Sequence, residues 1–133
     1  MNILLQILLA GSVIINTTPS KITYSKPIPV IELTDEEFVK SKLKDKPILI
    51  EIARCESGFK QFDDKGEVLR GIINNKDVGL FQINEYYHGK RAKELGIDLF
   101  TREGNLAFAK LLYREQGVQP WSWSNPCHKG LDK

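Results

Sequence analysis

A chain of 133 residues, 41% apolar and 27% charged, has the size and balance of one ordinary globular domain. Its formal net charge of +2 is too small to argue for nucleic acid. Mild basicity suits an anionic polymer surface without selecting one.

The chain starts with the nearly charge-free run 3-ILLQILLAGSVII-15, followed by the polar 16-NTTPSK-21. Spanning a bilayer takes roughly 18 or more apolar residues, so the run is short for an anchor and matches the apolar region of a signal peptide. No Lys or Arg precedes it, and no A-x-A cleavage site follows. Residues 1–18 are therefore predicted as a signal peptide, with an uncleaved anchor and a buried helix as the alternatives. Residues 19–33, with Pro27 and Pro29, are expected to be an extended linker. Residues 34–133 remain for one domain, long enough to bury a modest core.

Within 34-TDEEFVKSKLKD-45 the pattern T-x-x-E predicts a capping box between Thr34 and Glu37. Acidic residues fill the first turn and lysines the last, as the helix dipole favours. A second helix is predicted over 47-PILIEIARCES-57, begun by Pro47 and stopped by Gly58. Leu49, Ile52 and Ala53 share a face with Glu56, because residues three, four and seven apart lie together. Glu56 thus points along the apolar side.

Next, 67-EVLRGII-73 and 78-VGLFQI-83 are rich in branched and aromatic residues and flank the turn chemistry of 74-NNKD-77. They predict one β-hairpin. Helices are predicted again over 89-GKRAKEL-95, with Gly96 as the stop, and over 102-REGNLAFAKLLYREQ-116, between Thr101 and Gly117. Leu106, Ala109, Leu112 and Tyr113 make the latter a core helix. One further helical turn is expected in 120-PWSWSNPC-127. The fold class is α+β, mainly α, with one small β-hairpin.

The chain has two cysteines, Cys55 and Cys127. In an exported protein they form a disulfide that ties the tail to the central helix; in a cytosolic one they are buried free thiols. A cysteine nucleophile is a third reading, because His88 and His128 are available as bases, but a disulfide abolishes it. Those histidines share no metal-ligand spacing, and 63-DDKGE-67 is too short for a calcium loop, so no metal or cofactor is expected. Those acids read as a solvated turn.

Glu56 is the residue that asks for chemistry. Burial on an apolar face, the negative end of its helix dipole and any neighbouring carboxylate all raise its pKa. A carboxylic acid kept protonated near neutral pH is what a general acid needs when the leaving group is an oxygen. The alternative is a solvated glutamate at a fraying helix end.

Together, 55-CESGF-59 and 77-DVGLFQIN-84 resemble the lysozyme superfamily. Animal-type lysozymes join an E-S-x-F helix end to a hairpin reading D-x-G-x-x-Q-I-N. Soluble lytic transglycosylases share the glutamate and a G-L-x-Q-I segment, and resuscitation-promoting factors place a cysteine directly before E-S-G. The tail W-x-W-x-x-x-C-x-x-G is similar to the paired tryptophans and disulfide cysteine of animal-type lysozymes. The resemblance covers residues 47–130 and implies a lysozyme-like fold.

It implies Glu56 as the catalytic acid and Asp77 as nucleophile or ion-pair stabiliser. Gln82 and Asn84 would hydrogen-bond N-acetyl groups and hydroxyls, and Tyr86 and Tyr87 would stack on sugar rings. Trp121 or Trp123 would wall Glu56, although both also suit a core. The implied substrate is the β-1,4 bond between N-acetylmuramic acid and N-acetylglucosamine in peptidoglycan. The expected protein is a secreted or cell-envelope monomer with no nucleic-acid partner, touching membrane only through an uncleaved anchor. The interval from Glu56 to Asp77 is longer than in animal-type lysozymes, and only one disulfide is possible. Lytic transglycosylation with Glu56 alone is therefore the alternative, and a non-catalytic glycan-binding module is the second.

Overall fold

The computed structural model describes residues 30–129. The predicted signal peptide or anchor, and the linker as far as residue 29, lie outside the described residues. What is described is mainly helical, with one small antiparallel sheet.

Helix α1, Asp35–Lys42, carries the complete capping box: Glu37 N–H donates to Thr34 Oγ1 at 3.2 Å, and Thr34 N–H donates to the Glu37 carboxylate at 2.9 Å. Helix α2, Pro47–Ser57, starts on its proline and stops at Gly58, which takes the left-handed φ of 62° that a side chain resists. Ile48, Leu49, Ile52 and Ala53 of α2 are all buried, so this helix runs through the core.

The hairpin differs from its prediction. The turn at 74–77 forms, with Asp77 N–H donating to Asn74 O at 3.0 Å, and it brings Arg70 opposite Val78. The regular ladder lies one connection further on: β1, Asp77–Val78, pairs with β2, Ile83–Asn84, placing Asp77 opposite Asn84 and Val78 opposite Ile83. Segment 67–73 contributes only the single bridges Phe62 to Val68 and Arg70 to Val78. Two causes account for this. Leu80 and Phe81 are buried, and their amides donate to side chains, Gln61 Oε1 at 3.0 Å and Asn105 Oδ1 at 2.9 Å, not to a strand. Ile72 and Ile73 bury nothing, and β-branching without burial does not make a strand.

Helix α3, Glu85–Glu94, begins four residues before the predicted start because Asn84 caps it, accepting from the amides of Tyr86 and Tyr87. Helix α4, Arg102–Gln116, runs from its Thr101 cap to Gly117 as expected. The tail forms a 3-10 turn, Gln119–Ser124, and the short α5, Asn125–His128, which packs on α2. Phe81, Phe108 and Leu112 complete one core around Leu49 and Ile52.

Candidate active site

Glu56 occupies the last turn of α2, half-buried, at the wall of an open cleft of about 780 Å³. Asp77, at the start of β1, lines the same cleft. Burial pushes the Glu56 carboxyl above the ordinary carboxylate range, and the negative charge of Asp77 adds to the rise. The nearby Ser124 hydroxyl and His128 act in the opposite direction. Burial is the largest of these effects, so the direction is upward.

Asp77 is held from three sides. Its amide and carbonyl bond to Asn74 O and Gly71 N–H at 3.0 and 2.9 Å, and its Oδ1 accepts from Asn84 Nδ2 at 2.7 Å. The carboxylate is therefore fixed by the turn, the ladder and one side chain. The cleft thus combines a carboxyl group whose pKa is raised with a second, positioned carboxylate.

The remaining predicted site residues divide. Gln82 lines the cleft in a left-handed conformation, φ 46°, and its Nε2 donates to Gly79 O at 2.9 Å. Asn84 donates one amide hydrogen to Asp77 and accepts the two cap amides of α3 on its carbonyl oxygen, so it positions the site. Tyr86 and Tyr87 are exposed on α3, edge to face at 5.2 Å, and neither is part of the cleft wall. Trp121 is buried, with Nε1 donating to Phe81 O at 2.9 Å, and is a core residue. Of the two candidates for the wall, Trp123 takes the cleft place: it lines the wall and is 98% exposed. The tail kinks at Trp121, whose φ of -112° and ψ of 28° leave the helical range, and this bend separates the two indoles.

Cys55 and Cys127 form a disulfide, with Cα atoms 6.0 Å apart. It ties the residue beside Glu56 to the tail that carries Trp123 and Ser124. Both thiols are consumed, which removes the cysteine-nucleophile reading. Asp63 Oδ1 accepts from the amides of Lys65 and Glu67, so 63-DDKGE-67 is the expected turn.

Several positioning residues escaped the sequence. Ser57 Oγ donates to Leu80 O at 2.8 Å, joining the end of α2 to the loop between β1 and β2. Gln61 and Asn105 are fully buried amides that hold the same loop. Gly79 sits between them: a Cβ there would lie 2.5 Å from Gln61 Oε1 and 2.6 Å from Asn105 Nδ2. The glycine of 77-DVGLFQIN-84 was the available signal, because it implies a close approach, but not by which side chains. His128 is buried beside this site, its Nε2 3.2 Å from Trp121 O and its Nδ1 without a partner among the described residues.

Comparison of the chain with protein-family models, curated proteins and solved structures finds no match.

Proposed function

We propose that the chain is a glycosidase of the lysozyme-like superfamily that cleaves peptidoglycan at the β-1,4 bond between N-acetylmuramic acid and N-acetylglucosamine. The observation that carries this reading is the half-buried Glu56, its pKa raised chiefly by burial, sharing one open cleft with Asp77. The motifs 55-CESGF-59 and 77-DVGLFQIN-84 supply the superfamily, and the disulfide suits an oxidising, extracytoplasmic compartment.

Cleaving an acetal calls for two carboxyl groups in different protonation states. Glu56 delivers its proton to the glycosidic oxygen as the bond from that oxygen to the anomeric carbon breaks. Positive charge develops on the ring, and Asp77 faces it as nucleophile or stabiliser. Glu56, now ionised, takes a proton from the incoming water and returns to its starting state. Gln82 and Trp123 line the path of the strand, the indole offering a flat apolar face to a sugar ring.

One observation favours a second route. Asp77 Oδ1 is already engaged by Asn84 at 2.7 Å, which reduces its freedom to attack carbon. In lytic transglycosylation the acetamido group of the substrate assists, Glu56 works alone, and the 6-hydroxyl closes a 1,6-anhydro ring. A silent glycan-binding module has no use for a desolvated acid in its cleft.

The test is turbidity loss of purified cell walls with wild type and Glu56→Gln. Clearing by wild type alone is expected; equal clearing by both, or clearing by neither, sinks the proposal. Mass spectrometry of the products separates the routes: reducing ends mean hydrolysis, and anhydro ends mean transglycosylation.

A further inference from the structure

Ile72 and Ile73 stand wholly in solvent, and both line the cleft that holds Glu56 and Asp77. They are not a fraying loop. Gly71 N–H donates to Asp77 O at 2.9 Å, and Arg70 Nη1 donates to Asn75 O at 2.8 Å, so the backbone on both sides of the pair is tied down. Gly71 also has no room for a side chain, since a Cβ would lie 2.5 Å from Asn74 O. The fold presents two adjacent branched aliphatic side chains at the cleft edge and, among the described residues, gives them nothing to pack on. Hydrophobic stabilisation is thereby left for a partner to supply.

Two further features say what that partner is. Trp123 already provides a flat aromatic surface in the same cleft, the shape that suits a pyranose ring. Isoleucine has no flat face and packs best against methyl groups. Lys60 lines the cleft as well; its side chain is 58% exposed, and its ion-pair partner Asp64 is 3.7 Å away and almost fully solvated, so the ammonium is open to another anion. Arg70 is different, engaged by Glu85 at 2.7 Å. Aliphatic contact with an available cation fits an acidic, methyl-bearing peptide branch on the strand.

We infer that Ile72, Ile73 and Lys60 form a subsite for the peptide branch of the glycan strand, so that the cleft selects peptide-substituted strands over bare ones. The inference rests on the glycosidase reading and names the substrate feature that reading leaves open.

The experiment compares strands that carry their peptides with strands stripped of them by an amidase. Wild type is expected to show a kcat/KM about tenfold higher on peptide-bearing strands, equivalent to roughly 1.4 kcal/mol. In Ile72→Ser/Ile73→Ser that ratio falls towards one, and in Lys60→Gln it falls part of the way. A wild-type ratio of one overturns the inference. So does a double variant that slows both substrates equally, because that is what a general structural role would do. Retention of the double variant and wild type on peptide-bearing strands is measured in parallel in a Glu56→Gln background. Retention that needs Ile72 and Ile73 upholds the subsite even where wild type cuts nothing, in which case the glycosidase reading alone fails. Capture by phosphatidylglycerol vesicles that needs the isoleucines, with no preference between strands, overturns it in favour of a lipid surface.

Discussion

Asn84 donates its side-chain amide to Asp77 Oδ1 at 2.7 Å while its carbonyl oxygen caps α3, so one residue orients the second carboxylate and starts the next helix. Replacing it separates these roles. Asn84→Ala loses about 1 kcal/mol with the cap and lowers wall lysis severalfold as Asp77 loses its tether. Asn84→Asp keeps a cap but sets a second carboxylate against Asp77, so it melts closer to wild type while losing at least as much activity. Thermal melts and lysis rates check both variants. Wild-type lysis by Asn84→Ala would show that Asp77 needs no positioning.

The raised pKa of Glu56 has a consequence for stability. Its folded-state value lies above the ordinary 4.5, so between the two values the native state binds more protons than the unfolded chain. The favourable contribution is complete below 4.5 and is lost as pH rises through the folded value. Glu56→Gln is therefore expected to melt higher than wild type at pH 7, with the gap closing below pH 4.5. The proposed activity uses the same proton, so wild-type lysis is expected to decline on the alkaline side as Glu56 loses it. A melting difference that stays constant with pH contradicts the assignment.

The two tryptophans make opposite predictions. Trp121→Ala empties a core site and breaks the bond to Phe81 O, at a cost of about 3–5 kcal/mol. Trp123→Ala removes an exposed ring and changes stability by less than about 0.5 kcal/mol, yet raises KM for the strand. Urea unfolding and steady-state kinetics distinguish them. Loss of stability in Trp123→Ala, with KM unchanged, would place its role in the core instead.

Asn105 is expected to matter for the cleft without lining it. Its side chain serves Phe81 N–H at 2.9 Å and the carbonyls of Val78 and Leu99 at 2.9 and 3.0 Å. Asn105→Leu keeps the branched shape and leaves the buried Phe81 N–H without its acceptor, at a cost of about 1–3 kcal/mol, while Leu99 O keeps Gln61 Nε2 at 3.3 Å. Urea midpoints should fall accordingly, and hydrogen exchange in residues 78–82 should accelerate more than in α1. Uniform acceleration would deny the loop its own dependence on this amide.

Most helix ends were legible in the chain because they are written in a few adjacent residues. Thr34 with Glu37, Pro47 with Gly58 and Thr101 with Gly117 each satisfy or release backbone groups within one turn, whatever the rest of the molecule does. The setting of Glu56 was legible for the same reason, since helical spacing alone puts it on the face of Leu49 and Ile52. Asn84 shows the limit of that reading: a residue that resembles a sugar ligand in 77-DVGLFQIN-84 is also a good helix cap, and the cap is the role the structure gives it.

Tertiary structure decided the rest. The strands formed at 77–78 and 83–84 because Gln61 and Asn105, distant in sequence, claimed the amides of Leu80 and Phe81. Which tryptophan entered the core depended on the bend of the tail and on Phe81 offering a carbonyl. Capping and helical spacing are short-range and can be read residue by residue. Burial and long-range hydrogen bonding depend on what the fold brings alongside, and that decides which of two like residues meets the core and which faces the cleft.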